Sequence, residues 1–219
     1  MHDPDFDPYL PPRAPIGLDK PKDHAGEPPW LTIWTQPRRT IRGIVEADPN
    51  YLVLPLAALS GIANSLGQST RQGSPSPLVT IGLAIVFGSI AGIIGNHVMG
   101  FFVTLTAHWL GGTASRQETR AALAWSFVPG LAILPMSLLI LLWNASGLHW
   151  PGLTVQASFV GMLLTIWVLV VGAKCVGEVN LFSAWRGFFA WILGGLMLVA
   201  TVSLPFVAFV LLIHGLNNG

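Results

Sequence analysis

Few residues in this chain could do chemistry, and they fall into three groups. The first is Asn64, Asn96 and His97, polar residues set inside long apolar runs. Polar and ionisable groups in such runs are costly and mark a functional site by default. A proton or ion path would need several facing acidic or histidine groups, whereas His97 lies deep on its own with no Asp or Glu near it. A neutral His97 hydrogen-bonded to Asn64, or to a backbone carbonyl freed by Pro129, is the plainer expectation. The second group is Arg116, Glu118, Arg120, Lys174, Glu178 and Arg186, charges that gather where apolar runs end. Lys174 and Glu178 are four apart and share a helix face. A salt-bridged clasp is expected there, with a Glu178–Arg120 contact at its centre; a headgroup or protein docking surface is the other reading. The third group is Trp30, Trp34, Arg38, Arg39 and Arg42, aromatic and basic residues suited to a membrane surface. Each such arginine adds about 1 kcal/mol of attraction to an anionic leaflet.

None of these groups is catalytic. The chain has no His-Glu-x-x-His helix, Gly-x-Ser-x-Gly elbow, phosphate-binding glycine loop or carboxylate pair within an apolar run. His97 and His108 lie about three turns apart on a helix, too far to share a metal ion. The single cysteine, Cys175, excludes an intrachain disulfide and any multi-cysteine metal site. The expectation is a protein that is not an enzyme, with no cofactor and no metal.

Composition sets the environment in which these residues work. Of 219 residues, 52% are hydrophobic and only 10% charged, against about 25% charged in an ordinary soluble domain. Beyond Tyr51 the only charges are Arg71 and the six of the second group. Long apolar stretches separated by so few charges exclude a soluble enzyme and a nucleic-acid binder. They require an all-α integral membrane protein.

The elements follow from spacing. Residues 1–29 hold eight prolines, six acidic and three basic residues, and read as a disordered tail. Residues 30–48 place Ile41, Ile44 and Val45 on one stripe, with Arg38, Arg39 and Arg42 off it. They read as a short amphipathic helix in the headgroup layer, with Arg42 and Glu46 paired across one turn. Residues 49–219 carry five expected spans, at about 51–66, 78–110, 118–143, 153–176 and 184–214. Ser115-Arg116-Gln117-Glu118 is a capping box opening the third. Ten of the 11 lysines and arginines fall on the N-terminal segment and on alternate connections, and only Arg71 on the other side. The positive-inside rule therefore puts the N-terminus in the cytoplasm and the C-terminus outside.

In the second span Gly88, Gly92, Asn96, Gly100, Thr104, His108 and Gly112 recur every fourth residue. Small residues at that spacing let helix backbones approach closely. Gly88, Gly92 and Gly100 are expected to pack within the bundle, homodimerisation being the alternative.

The runs PWLTIWTQPRRTIR (Pro29–Arg42), LGGTASRQETRAALAWSFVP (Leu110–Pro129) and KCVGEVNLFSAWR (Lys174–Arg186) resemble the bacterial branch of the Yip family, membrane proteins that interact with Ypt/Rab GTPases. The similarity covers roughly residues 29–214. It implies a five-helix membrane domain with a cytoplasmic N-terminus, in the inner membrane of a bacterium. Eukaryotic members act in ER–Golgi vesicle trafficking, bind prenylated small GTPases and associate with one another. Their Asp-Leu-Tyr-Gly-Pro motif is absent here and the tail is short, so GTPase binding does not carry over. The resulting expectation is a membrane-organising or protein-interaction scaffold. Its expected partners are the lipid bilayer with its anionic headgroups, and a membrane protein or a second copy. A small oligomeric transporter or channel, with its polar site at Asn96 and His97, is the alternative.

Overall fold

The computed structural model describes residues 28–72, 76–146 and 151–218. The acidic tail over residues 1–27, and Gly73–Pro75 with Arg71's side chain, lie outside the described residues. Every regular element is a helix among the described residues.

The expected amphipathic helix is in fact two helices, α1 (Pro29–Thr35) and α2 (Pro37–Ala47). Pro37 disfavours helical geometry at the residue before it, and Gln36 accordingly leaves the helix at φ −125°, ψ 53°. The two remain packed together, with the Thr40 hydroxyl donating to Thr32 Oγ1 at 2.9 Å. Ile33, Ile41 and Ile44 are buried in the main core, alongside Trp125, Val171 and Val176. The apolar stripe of α2 therefore meets α6 and α8, not the hydrocarbon of a lipid leaflet. An Asx turn at Asp48–Asn50 and a left-handed Leu52 (φ 54°) lead into α3 (Val53–Gln72).

The next helical stretch begins with α4 (Pro77–Leu83), passes through a π-helical turn at Ala84–Gly88 and continues as α5 (Ser89–Trp109). It is followed by α6 (Arg116–Ser126), a 3-10 turn at Val128–Ala132 containing Pro129, and α7 (Ile133–Ala145). The chain ends with α8 (Pro151–Val179) and α9 (Ala184–Asn218). Among the described residues, four stretches are long and apolar enough to cross a membrane: Pro77–Trp109, Arg116–Asn144, Val155–Val179 and Ala184–Leu204. α3 has 20 residues but is diluted by Ser60, Asn64, Ser65 and Gln68, and is not among them. Only 17% of the most apolar window of Pro77–Trp109 is buried. Leu78, Val79, Ile85, Phe87 and Ile90 point outward, as suits a hydrocarbon solvent.

Glycine sets how closely these helices approach. A Cβ on Gly61 of α3 would overlap the carbonyl oxygen of Gly88, and one on Gly92 would overlap that of Ala57. α3 therefore lies backbone to backbone against the π turn and α5. The four-residue stripe then winds onto other neighbours. Gly100 receives the aliphatic stem of Arg120, and Gly112 receives Asn180 and Phe182. Gly187 of α9 lies against Gly177 of α8 in the same manner. Without a hydrophobic force between helices in lipid, such close packing is what holds them together.

Gly92→Ala is expected to destabilise the folded protein by about 1–3 kcal/mol, the usual cost of overpacking. The control is Gly82→Ala, where a Cβ meets nothing within 4 Å; it should leave the detergent melting curve unchanged or slightly raised. Equal melting curves for both variants would contradict the close α3–α5 packing.

Candidate functional site

The charged residues gather at one end of the bundle, where α5 gives way to α6 and α8 to α9. Glu178, near the end of α8, is buried at 9% exposure and sits under α2. The Arg42 Nε donates to Glu178 Oε1 at 2.7 Å, and Arg42 Nη2 makes an ion pair with the same oxygen. Arg38 Nε approaches Glu178 Oε2 at 3.9 Å. Two expectations are thereby corrected. The partner of Glu178 is Arg42, not Arg120, because α2 folds down over α8 and reaches the carboxylate first. Arg42 in turn leaves Glu46 unpaired along its own helix, since a buried carboxylate binds a guanidinium more strongly than an exposed one across a helical turn. A third contact, Cys175 Sγ to the Pro37 carbonyl at 3.8 Å, marks the same α2–α8 seam.

The other members of the charge group stand apart from this clamp. Glu118 is used as a cap: its Oε2 accepts from the Ser115 N–H at 2.6 Å, and its own N–H donates to Ser115 Oγ at 3.3 Å. This is the reciprocal capping box that the sequence signature requires. The exposed Arg116 lies over the Phe101 ring, 4.9 Å from its centroid. Arg120 is partly exposed, with a buried Nε that has no hydrogen-bond partner. Lys174 is partly exposed and Arg186 exposed, and neither makes an ion pair among the described residues. The structure thus brings Glu178 together with Arg42 and Arg38, and leaves Arg116, Lys174 and Arg186 as a cationic rim. Trp30 and Trp34, assigned to the membrane surface from sequence, face protein on one side. Trp30 lies 5.1 Å from the Trp125 ring, and Trp34 packs against the core. Arg39 is exposed.

Three residues that hold this end together have no sequence motif to announce them. Asn180, buried at the α8–α9 turn, accepts from the Ala114 N–H at 3.3 Å and donates to the Val176 carbonyl at 2.9 Å. It thereby ties the two turns to each other. Trp125 is fully buried and donates from Nε1 to the Tyr51 carbonyl at 3.1 Å, with the Tyr51 ring stacked on it. Thr106 donates to the Ala190 carbonyl at 2.7 Å, joining α5 to α9. Asn180 sits within the polar run between two spans, and that was the one available signal. Trp125 and Thr106 are not distinguished in sequence from their apolar surroundings.

The polar residues of the spans separate. His97 is exposed, and its Nδ1 lies 2.9 Å from the Ile93 carbonyl of its own helix. It bonds neither Asn64 nor a carbonyl near Pro129. Asn96, the next residue, turns inward and is 9% exposed, with its Nδ2 unpartnered. It lines a cavity of about 750 Å³ between α3, the π turn, α5, the 3-10 turn, α7 and α8, and Asn64 of α3 lines the same cavity. No group of three or more metal-ligating side chains occurs among the described residues.

Breaking the α2–α8 clamp has a predictable effect. Glu178→Ala and Arg42→Ala should each lower the melting temperature in detergent and speed tryptic cleavage at Arg38 and Arg39. The double variant should show a coupling energy of about 1–3 kcal/mol. Additive effects would mean that the pair does not hold the N-terminal helices down.

No curated protein and no solved structure matches the chain. The family model for the Yip1 domain matches residues 31–216, a range that takes in most of α1, all of α2, the close glycine contacts and the charged end. The chain belongs to the Yip family of membrane proteins.

Proposed function

We propose that this Yip-family protein is a non-enzymatic scaffold of the bacterial cytoplasmic membrane that presents its charged end to a protein partner. The observation that carries the reading is that this end is covered by α1 and α2 while Arg116, Lys174 and Arg186 make no ion pair among the described residues. α1 and α2 close over α6 and α8, fixed by Arg42 on Glu178. The two carboxylates of the charge group are committed, Glu118 to its cap and Glu178 to Arg42. Arg116, Lys174 and Arg186 are thereby left as a rim of one sign on rigid helix ends. Such a rim suits an acidic protein surface or the anionic headgroups of the adjoining leaflet. A small oligomeric transporter is the weaker reading, because His97, the only ionisable group of its supposed site, lies outside the cavity that Asn96 lines.

The proposed topology has five crossings, with α3 as the first. Its 20 residues span about 30 Å, enough for a hydrocarbon core. Its lower apolarity is tolerable because its glycine face is covered by α5. The charged end and the N-terminus then face the cytoplasm, in line with the distribution of lysine and arginine.

Orientation can be read by labelling. In a Cys175→Ser background, a membrane-impermeant maleimide should reach Leu181→Cys from the cytoplasmic side only and Ser76→Cys, just before α4, from the opposite side only; the reverse pattern would overturn the topology. The scaffold reading is tested by crosslinking the full chain in its native membrane and identifying bound proteins by mass spectrometry. The expected result is a reproducible partner lost when Arg116, Lys174 and Arg186 are replaced by Gln. No partner from a correctly oriented protein, or a partner indifferent to the three substitutions, would sink it.

A further inference from the structure

Two buried donors have no partner among the described residues, one on α5 and one on α6. One is Asn96 Nδ2, on a side chain more than nine-tenths buried in the wall of the cavity. The other is Arg120 Nε, whose aliphatic stem rests on Gly100, four residues along the same helix. A buried donor left unmade is expensive, more so on a charged group. No described residue accepts from either donor, and the carboxylates of Glu118 and Glu178 are already engaged.

The depth of the two residues indicates what acceptor could. Exposed Tyr51 stacks on Trp125, and exposed Trp30 lies tilted against it, beside the Asp48–Asn50 turn. Aromatic residues with a polar turn mark a membrane–water boundary. Arg120 is five residues nearer the charged end of α6 than Trp125, or about 7.5 Å, and Asn96 is about 6 Å deeper than Gly100. Asn96 is therefore level with the aromatic belt, and Arg120 lies just outside it. Below Asn96 the cavity is walled by Gly88, Gly92, Phe87 and Leu164 and carries no charged side chain. Its volume of about 750 Å³ is within the ordinary range for a bound small molecule.

We infer that this cavity and its mouth bind one glycerophospholipid from the leaflet at the charged end. The phosphate pairs with the Arg120 guanidinium and an ester carbonyl accepts from the Asn96 amide. An acyl chain lies along the glycine-lined wall toward Phe87. The Asn96 amide is free to turn about its last torsion, so its nitrogen can face the cavity when the lipid is present. The wall is uncharged and mainly apolar, which suits an acyl chain, while Asn64 and Thr165 add polar groups beside it. This site does not depend on the scaffold reading, only on membrane residence.

The test uses the full-length protein in lipid nanodiscs containing phosphatidylglycerol with a photoreactive diazirine on one acyl chain. Labelling is expected in residues 87–99 and 161–168, around the cavity. Labelling confined to outward faces such as Leu196–Val202 would overturn the site, and this result needs no variant to fold. Native mass spectrometry should then show one retained phosphatidylglycerol. Arg120→Gln and Asn96→Leu should each weaken retention about tenfold, the cost of one charge-assisted or buried hydrogen bond, and Arg120→Lys should restore most of it. Diacylglycerol with the same chains should be retained no better than the Arg120→Gln protein retains phosphatidylglycerol. Equal retention of the two lipids, or of phosphatidylglycerol by all variants, would refute the assignment.

Discussion

Glu178 imposes the constraint around which the charged end is arranged. A carboxylate at 9% exposure is costly to keep ionised unless a cation reaches it with good geometry. Lys174, on the same helix face, does not fold back onto it. Arg42 supplies the cation from a segment more than a hundred residues away in sequence. For that to happen α2 must lie across α8, and its isoleucines then come to rest on α6 and α8. The ion pair and the burial of Ile41 and Ile44 are thus one arrangement seen from two sides of the same helix.

Once α1 and α2 are in place, the rest of that end becomes self-consistent. Trp30 covers Trp125, Trp125 holds the Tyr51 carbonyl, and Tyr51 opens the turn into α3. α3 is in turn seated by contacts in which glycine replaces side chain with backbone, at Gly61, Gly88 and Gly92. The same helix pair also borders the cavity, and there Gly95 leaves open space, since a Cβ on it would meet nothing within 4 Å.

Much of this was legible in the chain itself. The apolar runs, the scarcity of charge and the three polar runs between spans require a membrane bundle and point to the Yip family. The capping box at Ser115–Glu118 is local, and local chemistry suffices to form it. The periodicity of α2 also separated its apolar and basic faces correctly. It could not say what the apolar face would meet, because a protein groove and a lipid surface ask for the same residues. Pro37 announces the start of α2, since proline suits a first helical turn, but nothing in the sequence announced α1 as a separate helix before it.

What the sequence determined by itself is the solvent and the secondary structure, because apolarity and helical period are properties of contiguous residues. It also determined which residues are scarce enough to matter, including Glu178, Arg120 and Asn96. The tertiary structure alone decided their partners. Glu178 is served from α2 and not from α6, His97 turns away from the residue beside it, and Asn96 faces a cavity whose walls come from four separate helices, the π turn and the 3-10 turn. Pairing in a membrane depends on which side chain arrives at the right depth and face. Depth and face are fixed by helix crossings distant in sequence, and no local pattern encodes them.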